Sequence, residues 1–312
     1  MLHVSCAADA RYLRHSAAML HSVLARSGGE PVHVHYLHGP GLSRHDAALL
    51  RQMVEAGGGG ISFLEIADER VRGLPALDPA TGPVRQRVSA TMWYRIFLPE
   101  LLPDVDRVLY LDVDTIAAAP LGPLWETELG DSYLAAVSNV FQLDHLPRLR
   151  ELGLDDPRDY FNSGVLLFNL ERMRRDGSTE ALLRYGLEHR DELWWPDQDA
   201  LNLVLGARRV ALHPRWNCMN GVMEFPWAVY VFGLRALGQA RAAPGIRHYE
   251  GPARNKPWHY MCPTHERALY LEHRRATPWP EVRLEGRTPA TVVARAARGV
   301  RWRVFRRDDR HR

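Results

Sequence analysis

The chain has 312 residues, 46% hydrophobic and 25% charged, a composition that supports a substantial buried core. A net charge of +3 is too small for a general nucleic-acid binder, and no apolar run reaches the roughly 18 residues needed to span a bilayer. Three widely spaced cysteines (Cys6, Cys218, Cys262), no CxxC and no signal-peptide pattern exclude a disulfide framework and a cysteine zinc site, and predict a cytoplasmic setting.

Residues 2–8 read as a short buried strand ending at Ala7-Ala8-Asp9. Residues 12–26 place Tyr12, His15, Ala18, Met19, Ser22 and Val23 at helical spacing, and Ser27-Gly28-Gly29 ends that helix. Residues 32–37 alternate as a strand. Ser43 is placed to cap a helix through Leu50 and Val54, which the glycines at 57–60 break before a third strand at 61–66. This βαβαβ order favours a parallel sheet with helices on both faces. A Pro/Gly-rich loop over 73–83 and a helix over 90–98 follow. The apolar strand Arg107–Leu111 then runs directly into Asp112-Val113-Asp114. Further strands are predicted at 133–137 and 164–168, and helices at 171–188 and 197–205. From 207 onward the pattern is irregular and rich in Trp, Pro and Asn. From about Thr288, Val292, Val293, Ala296, Val300, Val304 and Phe305 share a helical face among crowded arginines. That tail is either a solvated end or a basic amphipathic helix lying on anionic membrane.

Two acids one residue apart point to opposite faces of a regular strand. Asp112 and Asp114 converge on one ion only if the backbone turns at the strand end. Mg²⁺ and Mn²⁺ prefer such carboxylate oxygens and share phosphate oxygens; two solvated acids in a loop are the competing reading. Ligands of open α/β sheets sit beyond the carboxyl ends of the strands, where both Asp9 and the acid pair lie. A second segment runs from His248 through Gly251 to Lys256, the one lysine in the chain. It offers an imidazole, a close backbone approach and a compact cation, a set that suits a metal-bound diphosphate. Asn162 stands at the start of an apolar strand. In Trp194-Trp195-Pro196-Asp197-Gln198, aromatic faces beside carboxylate and amide suit a sugar ring, with Pro196 or Asp197 opening a helix.

Taken together, these segments resemble glycosyltransferase family 8 over about residues 3–262. This family of retaining transferases includes bacterial lipopolysaccharide and lipooligosaccharide galactosyl- and glucosyltransferases and glycogenin. The resemblance is carried by Ala7-Ala8-Asp9-x-x-Tyr12, Leu109-Tyr110-Leu111-Asp112-Val113-Asp114, Pro123-Leu124-Trp125, Phe161-Asn162-Ser163-Gly164-Val165, Asp197-Gln198-Asp199-Ala200-Leu201-Asn202, and His248-x-x-Gly251 through Lys256-Pro257-Trp258. It implies an α/β GT-A fold, Rossmann-like with a mixed central sheet, over 1–262. The donor site would lie mainly in 1–120, and the acceptor side and metal/diphosphate closure in 121–262; residues 263–312, beyond the resemblance, read as a basic extension that is either solvated or membrane-associating.

The resemblance also implies Mn²⁺, or Mg²⁺, held by Asp112, Asp114 and His248. Ala7, Asp9, Tyr12 and Val88 would hold uridine, Gly251 and Lys256 the diphosphate, with Val113 beside them. Arg95, Asp112, Asn162, Ser163, Asp197 and Gln198 would surround the donor sugar; Gln198, Asp197, Arg95 and Asn162 would form the catalytic group. The implied donor is UDP-galactose or UDP-glucose, and the acceptor a glycan, glycolipid or protein; the enzyme would be cytoplasmic, either free or peripheral at the inner face of the cell membrane. Four features depart from the family pattern: Arg11 for asparagine, Ser163 for alanine, Trp195 for tyrosine, and the additional Arg254-Asn255, which sets Arg254 in competition with Lys256. Gln198 is a poor nucleophile, which favours same-face attack. Alternative readings are a haloacid-dehalogenase-like phosphatase, whose nucleophile strand Leu111-Asp112-Val113-Asp114 also resembles, and a non-catalytic nucleotide-sugar-binding relative.

Overall fold

A computed structural model describes residues 1–76 and 90–296. Nine strands are described: β1 (Leu2–Ala7), β2 (Val32–His38), β3 (Gly60–Glu65), β4 (Arg107–Leu111), β5 (Thr115–Ala117), β6 (Leu134–Ser138), β7 (Phe161–Asn169), β8 (Arg209–Ala211) and β9 (Ile246–His248). Seven form one sheet in the order β3-β2-β1-β4-β7-β6-β8. The first four are parallel, as the βαβαβ order predicts, and β7 then enters antiparallel to both β4 and β6. The sheet is therefore mixed, as the resemblance implies. Strands β5 and β9 pair separately and antiparallel.

The continuous apolar runs of β4 and β7 have a direct cause. Leu109, Leu111, Val165 and Leu167 face one buried cluster, while Val108, Tyr110, Leu166 and Phe168 face another. Both faces of these strands are covered, so neither strand alternates with polar residues. The helices Leu13–Ala25 and Arg44–Ala56 cover the first face through Ala17, Leu20, Leu50 and Val54. The predicted cap is present: Ser43 Oγ accepts the Asp46 N–H at 3.0 Å.

Four segments differ from the sequence reading. Residues 90–97 wind as a 3₁₀ helix ahead of a single α turn, Leu98–Leu101. Pro99 has no N–H to return to the Arg95 carbonyl, and Thr179 Oγ1 takes the Ile96 carbonyl at 2.8 Å. The predicted helix 171–188 is two helices, Leu170–Arg175 and Ser178–Glu188, divided at Gly177 in the left-handed region (φ 62°). Strand β7 begins at Phe161, so Asn162 and Ser163 lie inside a strand rather than ahead of one. The region after 207 contains a helix, Ala228–Ala242, whose periodicity is interrupted at Gly233 (φ 74°). Residues 289–296 of the tail are helical, and Arg295 ties them to the body by donating to the Tyr260 carbonyl at 2.6 Å and to Thr264 Oγ1 at 2.7 Å. The rest of the proposed amphipathic face, residues 297–312, lies outside the described residues. Among the described residues no helix is long and apolar enough to cross a membrane.

Candidate active site

The turn that the acid pair requires is formed. Asp112 N–H donates to the Gly164 carbonyl at 2.8 Å, closing the β4–β7 ladder. The chain then reverses: Thr115 N–H and Oγ1 both donate to the Asp112 carbonyl, at 3.1 and 2.7 Å. Beyond the turn, β5 pairs with β9 in the register Thr115↔His248, which sets the imidazole beside both acids. His248 Nε2 lies 3.3 Å from Asp114 Oδ1 and 4.0 Å from Asp112 Oδ2. Ligand atoms of Asp112, Asp114 and His248 all fall within 4.8 Å of one another, the one such group among the described residues.

Two carboxylates and an imidazole form a donor set that fits a divalent cation. The space for it is kept by Gly164, where a Cβ would overlap His248 Cε1 and stand 2.9 Å from Asp112 Oδ2. The outer carboxylate oxygens are braced by cations: Arg95 Nη2 donates to Asp112 Oδ1 at 2.9 Å, and Lys256 Nζ donates to Asp114 Oδ2. Burial opposes the charge on Asp114, but Lys256 and His248 hold its pKa well below the usual carboxylate range. Burial likewise opposes protonation of Lys256, and Asp114 reverses that effect.

These groups lie in a cleft of about 900 Å³. One end is formed by Ala7 and Asp9 at the tip of β1 and by Tyr12 at the start of the helix Leu13–Ala25, and Gly251 and Lys256 line the same cleft. Asp9 Oδ1 accepts the N–H groups of Arg11 and Tyr12 at 2.9 and 3.2 Å, while Arg11 Nη2 reaches Oδ2 at 3.0 Å. The Arg11 departure therefore occupies part of the Asp9 carboxylate. Val88 lies outside the described residues. Gly251 takes φ 86°, a conformation L side chains avoid. The predicted competition between the two cations has a clear geometry: Lys256 is buried against Asp114, and Arg254 is exposed on the cleft rim. Val113 lines the same cleft and packs its side chain against the core.

The other end is built by β7 and the helix Pro196–Leu205. Gln198 Oε1 accepts from Ser163 N–H at 3.0 Å and from Asn162 Nδ2 at 3.1 Å, while its Nε2 donates to Tyr160 Oη at 3.1 Å. Arg95 is fully engaged: Nε donates to the Met92 carbonyl at 3.0 Å and stands 3.4 Å from Asp197, and Nη1 donates to the Ser163 carbonyl at 2.5 Å. Its guanidinium lies over the Tyr110 ring at 4.2 Å. Arg95 thus links the acids of the two ends. Burial pushes the Asp197 carboxyl up to about 6, against the pull of Arg95 and with the push of Asp112. Trp195 forms an aromatic wall at this end with Phe141 and His145, whose ring centroids lie 5.8 and 5.5 Å from its own.

The structure brings together every predicted site residue among the described ones, although Asp9, Asp112, Asp197 and His248 are far apart in sequence. The sequence reading missed Tyr160, Asn217 and Arg148. Tyr160 and Arg148 both bind the buried Asp199, and Asn217 Oδ1 lies 2.9 Å from His248 Nδ1. None stands in a motif with chemistry of its own; the one available signal was an asparagine amid the apolar residues around Trp216.

The family model described as glycosyl transferase family 8 matches residues 3–262. General stress protein A of Bacillus subtilis (strain 168) is 28% identical over 284 residues, covering 89% of this chain and 95% of that protein. A lipopolysaccharide 1,2-glucosyltransferase of Escherichia coli (strain K12) is 28% identical over 182 residues, covering 57% of this chain and 52% of that protein. The crystal structure of galactosyltransferase LgtC in complex with donor and acceptor sugar analogs superposes with a TM-score of 0.78 at 29% identity, covering 89% of this chain and 96% of that one.

Proposed function

The chain belongs to glycosyl transferase family 8 and is a glycosyltransferase; from that premise we propose that it moves a hexose, galactose or glucose, from its UDP-sugar to a hydroxyl of a saccharide-bearing acceptor, with retention at the anomeric carbon. This membership displaces the phosphatase reading of Leu111-Asp112-Val113-Asp114. The observation that carries the proposal is the convergence of Asp112, Asp114, His248 and Lys256 at one part of a cleft whose other end is walled by Trp195, Asp197 and Gln198. Support for the hexose donors comes from relatives named as glucosyl- and galactosyltransferases.

Asp112, Asp114 and His248 would hold Mn²⁺, which when bound supplies charge neutralisation to a diphosphate. Ala7, Asp9 and Tyr12 would receive the nucleoside. Lys256, buried beside the acids, is placed to neutralise a diphosphate oxygen, and Gly251 admits the chain close to it. Gln198 does not serve as nucleophile, because its amide oxygen already accepts two N–H donors. Asp197 is held by Arg95 and is suited to accept sugar hydroxyls. Retention therefore favours same-face attack: the acceptor oxygen bonds to the anomeric carbon as the bond to the phosphate oxygen breaks, and the hydroxyl proton passes to the departing phosphate. Residues 1–262 form the transferase unit, donor side mainly 1–120. The enzyme works in the cytoplasm, with peripheral membrane contact through 288–312; anionic-liposome sedimentation lost on deleting that segment supports the contact, and unchanged sedimentation refutes it.

Turnover of a UDP-sugar panel with saccharide acceptors tests the reading, with product configuration assigned by proton coupling. UDP-galactose or UDP-glucose should yield UDP and an α-linked product. Inertness toward both, or a β-linked product, overturns it.

A further inference from the structure

An imidazole ligates a metal through the nitrogen that carries no proton, and the partner of the other nitrogen decides which one that is. The partner of His248 Nδ1 is Asn217, fully buried and outside every motif that marks the site. We propose that Asn217 is a positioning residue that fixes the His248 tautomer, and that consecutive backbone N–H groups of β7 fix Asn217 in turn. The inference rests on reading Asp112, Asp114 and His248 as metal ligands.

An asparagine can present its oxygen or its NH₂ by a half-turn, so its orientation needs an independent anchor. Gly164 N–H supplies one. It donates to Asn162 Oδ1 at 3.0 Å, and a backbone N–H is a donor in every state. The Asn162 oxygen therefore faces Gly164 and Asn217. The Asn217 atom 2.9 Å from that oxygen must be its NH₂ group. Asn217 then turns its oxygen to His248, Nδ1 carries the proton, and Nε2 keeps its lone pair toward Asp112 and Asp114.

Ser163 N–H supplies a second anchor. It donates to Gln198 Oε1 at 3.0 Å, so the Asn162 group facing that oxygen at 3.1 Å must be NH₂. Both anchors demand one orientation of Asn162. The same sense continues outward: Gln198 Nε2 donates to Tyr160 Oη at 3.1 Å, and Tyr160 donates to Asp199 Oδ1 at 2.5 Å. Asp199, fully buried, accepts from Arg148 at 3.0 Å through its other oxygen. The metal ligand and the sugar-side amide thus belong to one buried hydrogen-bonded line with one direction.

The test uses Asn217→Ala and Asn217→Asp with Mn²⁺ alone as the probe, read by the electron paramagnetic resonance signal of free Mn²⁺ without nucleotide. A long-range ¹H–¹⁵N spectrum of the metal-free protein, recorded above the imidazole titration range, reads the His248 tautomer. The native protein should bind Mn²⁺ and hold the proton on Nδ1. Asn217→Ala should bind about 10–100-fold more weakly and show mixed tautomers. Asn217→Asp, whose carboxyl in its protonated form donates to Asn162 Oδ1 and still offers Nδ1 an acceptor, should retain Mn²⁺ affinity. Native-like affinity in Asn217→Ala, or an unchanged tautomer, overturns the proposal. So does loss of Mn²⁺ binding in Asn217→Asp, which keeps the test decisive if the alanine variant does not fold. Failure of the native protein to bind Mn²⁺ would instead overturn the metal reading itself.

Discussion

Gly164 shows how much of the site depends on what a residue lacks. The site needs β7 to pass directly behind the Asp112 carboxylate and the His248 ring, and only a residue without a side chain leaves that room. Gly164→Ala should cost roughly 1–3 kcal/mol of stability by overpacking, and should weaken Mn²⁺ binding more than it lowers the melting temperature suggests. Calorimetric titration beside a melting curve checks this; unchanged metal affinity contradicts it. Asp197 carries a second prediction at this scale. Its carboxyl is pushed up to about 6 by burial, so it loses its charge as pH falls through that value. A kcat/KM profile should drop on the acid side near pH 6, and Asp197→Asn should remove that limb. The chemistry-bearing residues were legible in the sequence because acids, His248 and the single lysine stand out by type. Asn217 and Tyr160 were not legible, since their importance comes from what they face once buried.

At the scale of elements, legibility followed periodicity and punctuation. The strands β1–β4 and the helices Arg44–Ala56 and Pro196–Leu205 were readable because apolar runs or spacings were punctuated by Gly, Ser, Pro or Asp. Ser43 is a direct check: its Oγ satisfies the Asp46 N–H, so Ser43→Ala should cost about 0.5–2 kcal/mol in urea unfolding, with activity unchanged. A cost near zero would mean that water replaces the cap. The 3₁₀ winding of 90–97 and the split at Gly177 were not readable, because each depends on a partner distant in sequence or on one residue's backbone angle. The helix Ala228–Ala242 was hidden because Gly233 breaks its phase.

Over the whole molecule, the mixed sheet sets the tip of β1, the acid turn and the helix Pro196–Leu205 around one cleft, and β9 closes it from a region whose sequence pattern is irregular. A half-buried and a buried histidine make that architecture acid-sensitive. Burial, with Arg274 and Arg14 nearby, lowers His15 from its ordinary 6.5 to about 3; burial, with His33 and His3 nearby, does the same to His35. Between those values the unfolded chain binds more protons than the folded one, so stability rises with pH there. The contribution is present above about pH 6.5 and is lost progressively as pH falls toward 3. Urea midpoints should decline across that window, and His15→Phe, keeping the stack on Trp258, should flatten the decline.

The central claim is that Asp112, Asp114 and His248 hold the metal on which transfer from a UDP-sugar depends. Its most direct test is UDP release by Asp112→Asn, assayed with Mn²⁺, UDP-galactose or UDP-glucose, and an acceptor the native enzyme uses. The substitution keeps the size of the side chain and removes one metal-binding charge. Turnover should fall by at least about 10²-fold, the scale of removing a transition-state charge partner, in a protein that melts as a folded unit. Native-like UDP release by Asp112→Asn would contradict it.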